Sequence, residues 1–231
     1  MIPLRDRNPS GTVPFITITL ILINVLVFFY ELSLGERLNR FLMHSALVPA
    51  KLIDYRTVPG ISVSHILRSF VFTMFLHGGW LHIIGNMWYL WIFGDNVEDR
   101  LGHSKFLLFY ITCGVTASLA HVLFNPHSIV PVVGASGAIA GVLGAYLIIF
   151  PFARIVTAVP IFFFFTLIEI PAAILLFFWF ILQFFSGALS IAATPHGGSG
   201  GVAWWAHIGG FLSGMILINI FARRKGFRQR G

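Results

Sequence analysis

Charge is what this sequence has least of. Among 231 residues there are 15 Lys and Arg and 8 Asp and Glu, so charged side chains make up 10% of the chain. A soluble domain carries about 25%. The chain cannot clothe a water-facing surface, which excludes a soluble enzyme or a soluble binding module. Cysteine is nearly absent as well: the one thiol, Cys113, cannot form an internal disulfide. No 20–50-residue repeat is visible, and the sole low-complexity tract is the glycine run before Val202. There is no His-Glu-x-x-His; the nearest histidine pair, His77 and His82, is split by Gly78-Gly79. Zinc chemistry is therefore not expected. No small-residue cleavage site follows the first apolar run, only Glu31-Leu32-Ser33-Leu34-Gly35-Glu36-Arg37, so that run reads as a retained signal anchor.

What fills the chain is apolar surface. Hydrophobic residues account for 57%, the mean hydropathy is +0.88, and several runs approach the ~20 residues needed to cross a bilayer. The expected architecture is an all-α integral membrane protein in one domain spanning residues 1–231. Six spans are expected, at about 13–30, 80–94, 106–124, 136–150, 171–185 and 203–222. Residues 31–79 form a long first loop whose short apolar patches, such as Phe70 to Leu76, suit interfacial helices. Residues 161–170, between Pro160 and Pro171, form an apolar connection before the fifth span, and Ser186 to Val202 reads as a mobile loop.

The net charge of +7 and isoelectric point near 10.2 do not indicate nucleic acid, because the basic residues cluster at span ends. They mark topology and contacts with anionic lipid headgroups. Arg5, Arg7, Arg100, Lys105, Arg154 and the tail from Arg223 to Arg230 fall on one side, which makes both termini cytoplasmic. The five basic residues of the first loop lie opposite, diluted over a long segment.

Two small-residue stretches organise the rest. In Gly134 to Tyr146, Gly137, Gly141 and Ala145 recur at i, i+4 behind a single hydroxyl, Ser136. In Ala206 to Gly214, glycines also recur four apart behind an ionisable group, His207. Such seams are ordinarily packing surfaces. Docked on each other, however, they would bring a nucleophile beside a base. With spans 2, 4 and 6 running outside to inside, His82, Asn86, Ser136 and His207 all fall at outer ends. A helix from Ser136 to Phe150 is about 22 Å long against a hydrocarbon core of about 30 Å. Ser136 thus lies below the outer surface, in a pocket that must admit water, with the glycine-rich loop before span 6 as its lid. His82 and Asn86 share a helix face and can donate, with the Ser136 backbone N–H, to a tetrahedral oxyanion. The acids Asp95, Glu98, Asp99 and Glu169 belong to the inner side, so the expected unit is a Ser-His dyad without a carboxylate.

On these residues the chain resembles the rhomboid intramembrane serine proteases. The likeness runs from Phe75 to Gly214. It is carried by His77-Gly78-Gly79-Trp80-Leu81-His82-Ile83-Ile84-Gly85-Asn86-Met87, by Gly94, Glu98 and Gly102, by Gly134-Ala135-Ser136-Gly137, and by Ala206-His207 with Gly210 and Gly214. The resemblance implies that Ser136 is the nucleophile and His207 the general base, with Asn86 and His82 as oxyanion side chains. It also implies a six-span bundle, cleavage of single-span transmembrane substrates near the outer face, and no cofactor. A bacterial inner membrane is the expected location. Span 5, with Phe177, Phe178 and Trp179, is the expected lateral gate. Two departures stand out. An aromatic residue common four positions after the serine is Ala140 here, so either Trp204 or Trp205 packs on the histidine or the ring is held less firmly. A Trp-Arg pair frequent in the first loop has Leu67-Arg68 as its nearest counterpart. The alternative class is a non-catalytic relative that escorts membrane helices, but such relatives usually lack the serine or histidine. A solute transporter would show inverted repeats, and none is present.

Overall fold

The computed structural model describes residues 1–54, 62–161, 164–193 and 203–222. The basic tail, the core of the glycine-rich loop and Arg56 of the first loop lie outside the described residues. A short helix with no polar side, α7 (Ser136–Ile149), stands at the centre, and every residue from Gly137 to Tyr146 is buried. A helix that is apolar all round belongs inside a protein or a membrane. Around it pack α9 (Trp204–Phe221), α6 (His103–Phe124) and α5 (Trp80–Leu101), with α1 (Phe15–Ser33) outside α5 and α8 (Ala172–Ala193) alongside α9.

Lipid offers apolar helices no hydrophobic reason to associate, so close backbone packing must hold them. The α7–α9 seam shows how it does so. A Cβ added at Gly210 would overlap the carbonyl oxygen of Gly137, one at Gly214 that of Gly141, and one at Gly144 that of Phe211. The other side of α7 faces α6, where a Cβ on Gly137 would come within 2.7 Å of the Ala117 Cβ and one on Gly141 within 2.5 Å of the Cys113 Cβ. The third seam position is Gly144 rather than the expected Ala145.

Among the described residues, α1, α6, α8 (counted over Ala172–Leu189) and α9 are long and apolar enough to cross a membrane. The chain is an integral membrane protein with a helical bundle. In the first loop, α2 (Leu38–Ser45), α3 (Pro49–Ile53) and α4 (Val63–Phe72) are short helices. Leu47, Ile66, Phe70, Val122 and Val132 form a second small core there.

Three features differ from the sequence reading. First, a three-stranded antiparallel sheet, β1 (Ile2–Asp6), β2 (Arg154–Ile161) and β3 (Phe164–Pro171), accompanies the helices, with β2 in the middle. The connection before span 5 is thus a β-hairpin. Its β-branched run Ile155-Val156-Thr157 favours a strand. The partner β1 is remote in sequence and reads as polar, and a short apolar run alone does not separate strand from helix. Trp88 Nε1 donates to the Pro3 carbonyl at 2.6 Å, tying β1 to α5. Second, α5 does not stop before the acidic cluster but continues to Leu101, where Gly102 at φ +79° turns the chain into α6. The acids have work inside the fold: fully buried Glu98 accepts from the Ile16 and Thr17 N–H groups at 2.8 and 2.7 Å, and from Thr17 Oγ1 at 2.7 Å. It thereby caps α1 at its positive end. Third, α8 extends through Ala193 into the stretch expected to be loop.

Candidate active site

Ser136 opens α7, and the segment before it is held from two sides. Thr73 Oγ1 donates to the Val132 carbonyl at 2.6 Å and accepts from Leu47 N–H at 2.8 Å. The N–H of Gly134 donates to the Thr73 carbonyl at 3.0 Å, and that of Val132 to Leu47 at 2.8 Å. Gly134 sits at φ +127°, a backbone that side chains rarely adopt. A Cβ there would also stand 2.7 Å from His82 Nε2 and 3.4 Å from Ser136 Oγ. The glycine keeps that space open, and His82 and Ser136 face each other across it.

The glycine seam delivers His207 from the first turn of α9. Its Nε2 lies 2.8 Å from Ser136 Oγ. Its Nδ1 lies 2.6 Å from Oε1 of Gln183, a buried amide on α8 that sequence reasoning left out. A lone glutamine in an apolar helix offers a signal only once its neighbour is known. The ring is bracketed by aromatics, Trp179 with centroids 6.0 Å apart and tilted 32°, and Trp204 edge-on at 6.1 Å. This answers the question raised by Ala140. Trp204 does pack on the histidine, whereas Trp205 stacks on Phe124 at 3.8 Å. Trp179 also turns inward, while Phe177 and Phe178 remain exposed on the outer face of α8.

The other polar residues form a chain from α1 to α5. The Glu31 carboxylate, buried at the end of α1, accepts the His77 N–H at 3.1 and 3.2 Å. His77 Nδ1 donates to the Phe75 carbonyl at 3.3 Å, which leaves Nε2 to accept from Asn86 Nδ2 at 3.0 Å. An amide nitrogen carries two protons, so Asn86 retains one for another acceptor. The N–H of Gly78 makes a long contact, 3.4 Å, with His82 Nδ1. That leaves the His82 proton on Nε2, on the side facing Gly134. Glu31 and His77 went unremarked as supports in the sequence reading, because neither lies at helical spacing from the residue it orients. The expected pair Leu67-Arg68 does not anchor the loop: Leu67 is exposed and Arg68 Nε donates to Ser64 of its own helix at 3.1 Å.

Beside Ser136 lies a small hollow lined by Gly114, Ala117, Gly134, Gly137, Ala203 and Ala206, with Thr73 and Ser118 as its polar edge. No cluster among the described residues could hold a metal ion. A hydroxyl against a bare imidazole nitrogen can lose its proton as it attacks a carbonyl. The N–H groups that open α7, and His82 Nε2 across the space left by Gly134, lie beside it.

The comparisons with known proteins agree with this membrane-embedded bundle, in which a serine and a histidine meet across a glycine seam. Residues 64–224 match the rhomboid domain, and the chain belongs to the rhomboid family. It is 46% identical over 72 residues to the rhomboid protease GluP of Bacillus subtilis, covering 31% of this chain and 14% of that one. It is 34% identical over 144 residues to RHOMBOID-like protein 6, mitochondrial, of Arabidopsis thaliana, covering 62% and 40% respectively. It is 38% identical over 72 residues to the putative rhomboid protease YdcA of Bacillus subtilis, covering 31% and 36%. The chain therefore spans less than half the length of these relatives.

Proposed function

We propose that this chain is an intramembrane serine endopeptidase that cleaves single-span membrane proteins through a Ser136–His207 dyad. The observation that carries this reading is the 2.8 Å contact between His207 Nε2 and Ser136 Oγ, made across the helix seam. Ser136 Oγ attacks the scissile carbonyl while His207 Nε2 takes its proton. The imidazolium returns that proton to the leaving amine, and water, activated by the same nitrogen, hydrolyses the acyl-enzyme. The tetrahedral oxyanion is held by the Ser136 N–H, Asn86 Nδ2 and His82 Nε2. His82 Nε2 faces the space that Gly134 leaves open beside Ser136, and Asn86 keeps one amide proton beyond the one it gives to His77.

The hollow of small residues beside the serine favours a small side chain at the cleaved bond. Glycine-containing helix segments also unwind at lower cost. The substrate enters from lipid past α8, whose Phe177 and Phe178 line the outside. Six spans, cytoplasmic termini and an outward-facing site in a bacterial inner membrane complete the proposal. Span-end charge supports them, as do the positions of Ser136, His207 and His82 at the same end of their helices. The proposed chemistry uses no cofactor.

The test is turnover. Detergent-purified protein is incubated with a model single-span substrate beside Ser136→Ala and His207→Ala. Cleavage by the wild type alone supports the dyad, as does fluorophosphonate labelling that disappears in Ser136→Ala. Equal product from all three proteins would end the reading. Binding of the substrate helix without cleavage would favour an escort role instead.

A further inference from the structure

We propose that Gln183 is a positioning residue for His207, setting the protonation tautomer that makes the imidazole a base toward Ser136. The inference rests on the proteolytic reading for its consequence and on geometry for its content. A neutral imidazole has one N–H donor and one bare acceptor nitrogen. The Gln183 Oε1 that meets Nδ1 at 2.6 Å carries no proton, so the proton of that contact must sit on Nδ1. Nε2 is then bare, and it is the nitrogen 2.8 Å from Ser136 Oγ. The opposite tautomer would turn an N–H toward the hydroxyl and leave Nδ1 and Oε1 facing each other as two acceptors. His207 and Gln183 are both buried, so water does not readily substitute for the amide.

A neutral amide suits this place in the membrane. A carboxylate would accept the same proton but would bring a charge into apolar surroundings at considerable cost. Trp179 precedes Gln183 by one helical turn, so α8 presents both an aromatic ring and an acceptor to the same imidazole. The ring plane is thus held by packing and its proton by the amide, and the two contributions can be separated by mutation.

The experiment compares full-length wild type, Gln183→Leu and Gln183→Glu in detergent micelles. Leu fills the space without an acceptor; Glu restores one. Gln183→Leu is expected to lower kcat by about 10- to 100-fold, the scale seen when a partner orienting a functional histidine is removed, with KM little changed. Fluorophosphonate labelling of Ser136 should slow in parallel, and Gln183→Glu should recover most of the loss. In ¹⁵N-histidine spectra, recorded in a Ser136→Ala background, the His207 signal should report Nδ1–H, and in Gln183→Leu a mixture of tautomers. Wild-type kcat with an unchanged tautomer in Gln183→Leu would overturn the proposal. So would a Gln183→Glu variant that folds, by its thermal midpoint, and is as slow as Gln183→Leu. If the wild type neither cleaves nor labels, the proteolytic reading fails, and the spectra alone still decide whether Gln183 sets the tautomer.

Discussion

Gly210 of α9 rests directly on the carbonyl oxygen of Gly137 in α7, with no room between them for a methyl group. Gly137 follows Ser136 and Gly210 lies one turn beyond His207, so this contact sets the spacing of the two side chains. Gly210→Ala should destabilise the protein by about 3 kcal/mol, the upper end of the usual cost of overpacking, and should lower kcat by pushing the helices apart. Gly85→Ala is the control. A Cβ there meets nothing within 4 Å, so the change should be neutral or stabilising by about 0.5–1 kcal/mol. Thermal midpoints and turnover of the two variants check this.

Trp179 and Trp205 should separate packing on the histidine from packing elsewhere. Trp179→Ala removes the ring tilted over His207 and should lower kcat more than it raises KM. Trp205→Ala removes a stack on Phe124, worth about 0.5–1.5 kcal/mol beyond the area buried. It should cost stability and leave the turnover of the folded fraction nearly intact. Kinetics normalised to active-site titration distinguish the two.

Asn86→Ala should reduce kcat by about 100-fold or more, as for other oxyanion donors, with little change in KM. His77→Ala should produce a smaller loss of about 10-fold, since it frees the amide that His77 Nε2 now holds at 3.0 Å. Near-wild-type turnover in Asn86→Ala would remove that amide from the oxyanion site.

Glu98→Ala strips acceptors from two backbone N–H groups and the Thr17 hydroxyl at the start of α1, and from His103 Nδ1 at 2.6 Å. Hydrogen bonds to a buried charge are worth about 1.5–3 kcal/mol each, so a loss of about 3 kcal/mol or more is expected. Because Glu98 lies at the end of α5 remote from His82, molecules that remain folded should retain their kcat. Thermal unfolding and titrated turnover measure the two separately.

Asp6 should make the attachment of the N-terminal strand pH-dependent. Burial first, and then the neighbouring Asp95, raise its carboxyl to about 6, against hydrogen bonds such as that from Tyr146 at 2.7 Å. The folded state therefore holds this proton more tightly than the unfolded chain does. Its contribution is favourable below pH 4 and is lost as pH rises through 4 to 6. The thermal midpoint of wild type relative to Asp6→Asn should accordingly fall across that window and level off above it. A difference that stays flat with pH would contradict the shift.

The bundle and its central pairing were legible because they rest on local chemistry. Apolar runs of bilayer length mark helices, and glycines four apart mark the faces where Ser136 and His207 ride. The sheet was hidden because β1 and β2 lie far apart in the sequence and neither announces its partner. The acids Asp95, Glu98 and Asp99 read as the end of a span, since a sequence does not show that a carboxylate will cap a helix more than 80 residues earlier.

By composition and spacing alone the chain determined that it must live in a membrane, where small residues have to meet, and which hydroxyl and imidazole would then stand together. Only the tertiary structure decided what surrounds that imidazole: Gln183 on one nitrogen, Trp179 and Trp204 about its ring, and Glu31 behind the histidine that holds Asn86. The physical reason is that a helix seam is written in repeating local geometry. A hydrogen bond between distant helices depends on their rotation and depth, which packing of the whole bundle fixes.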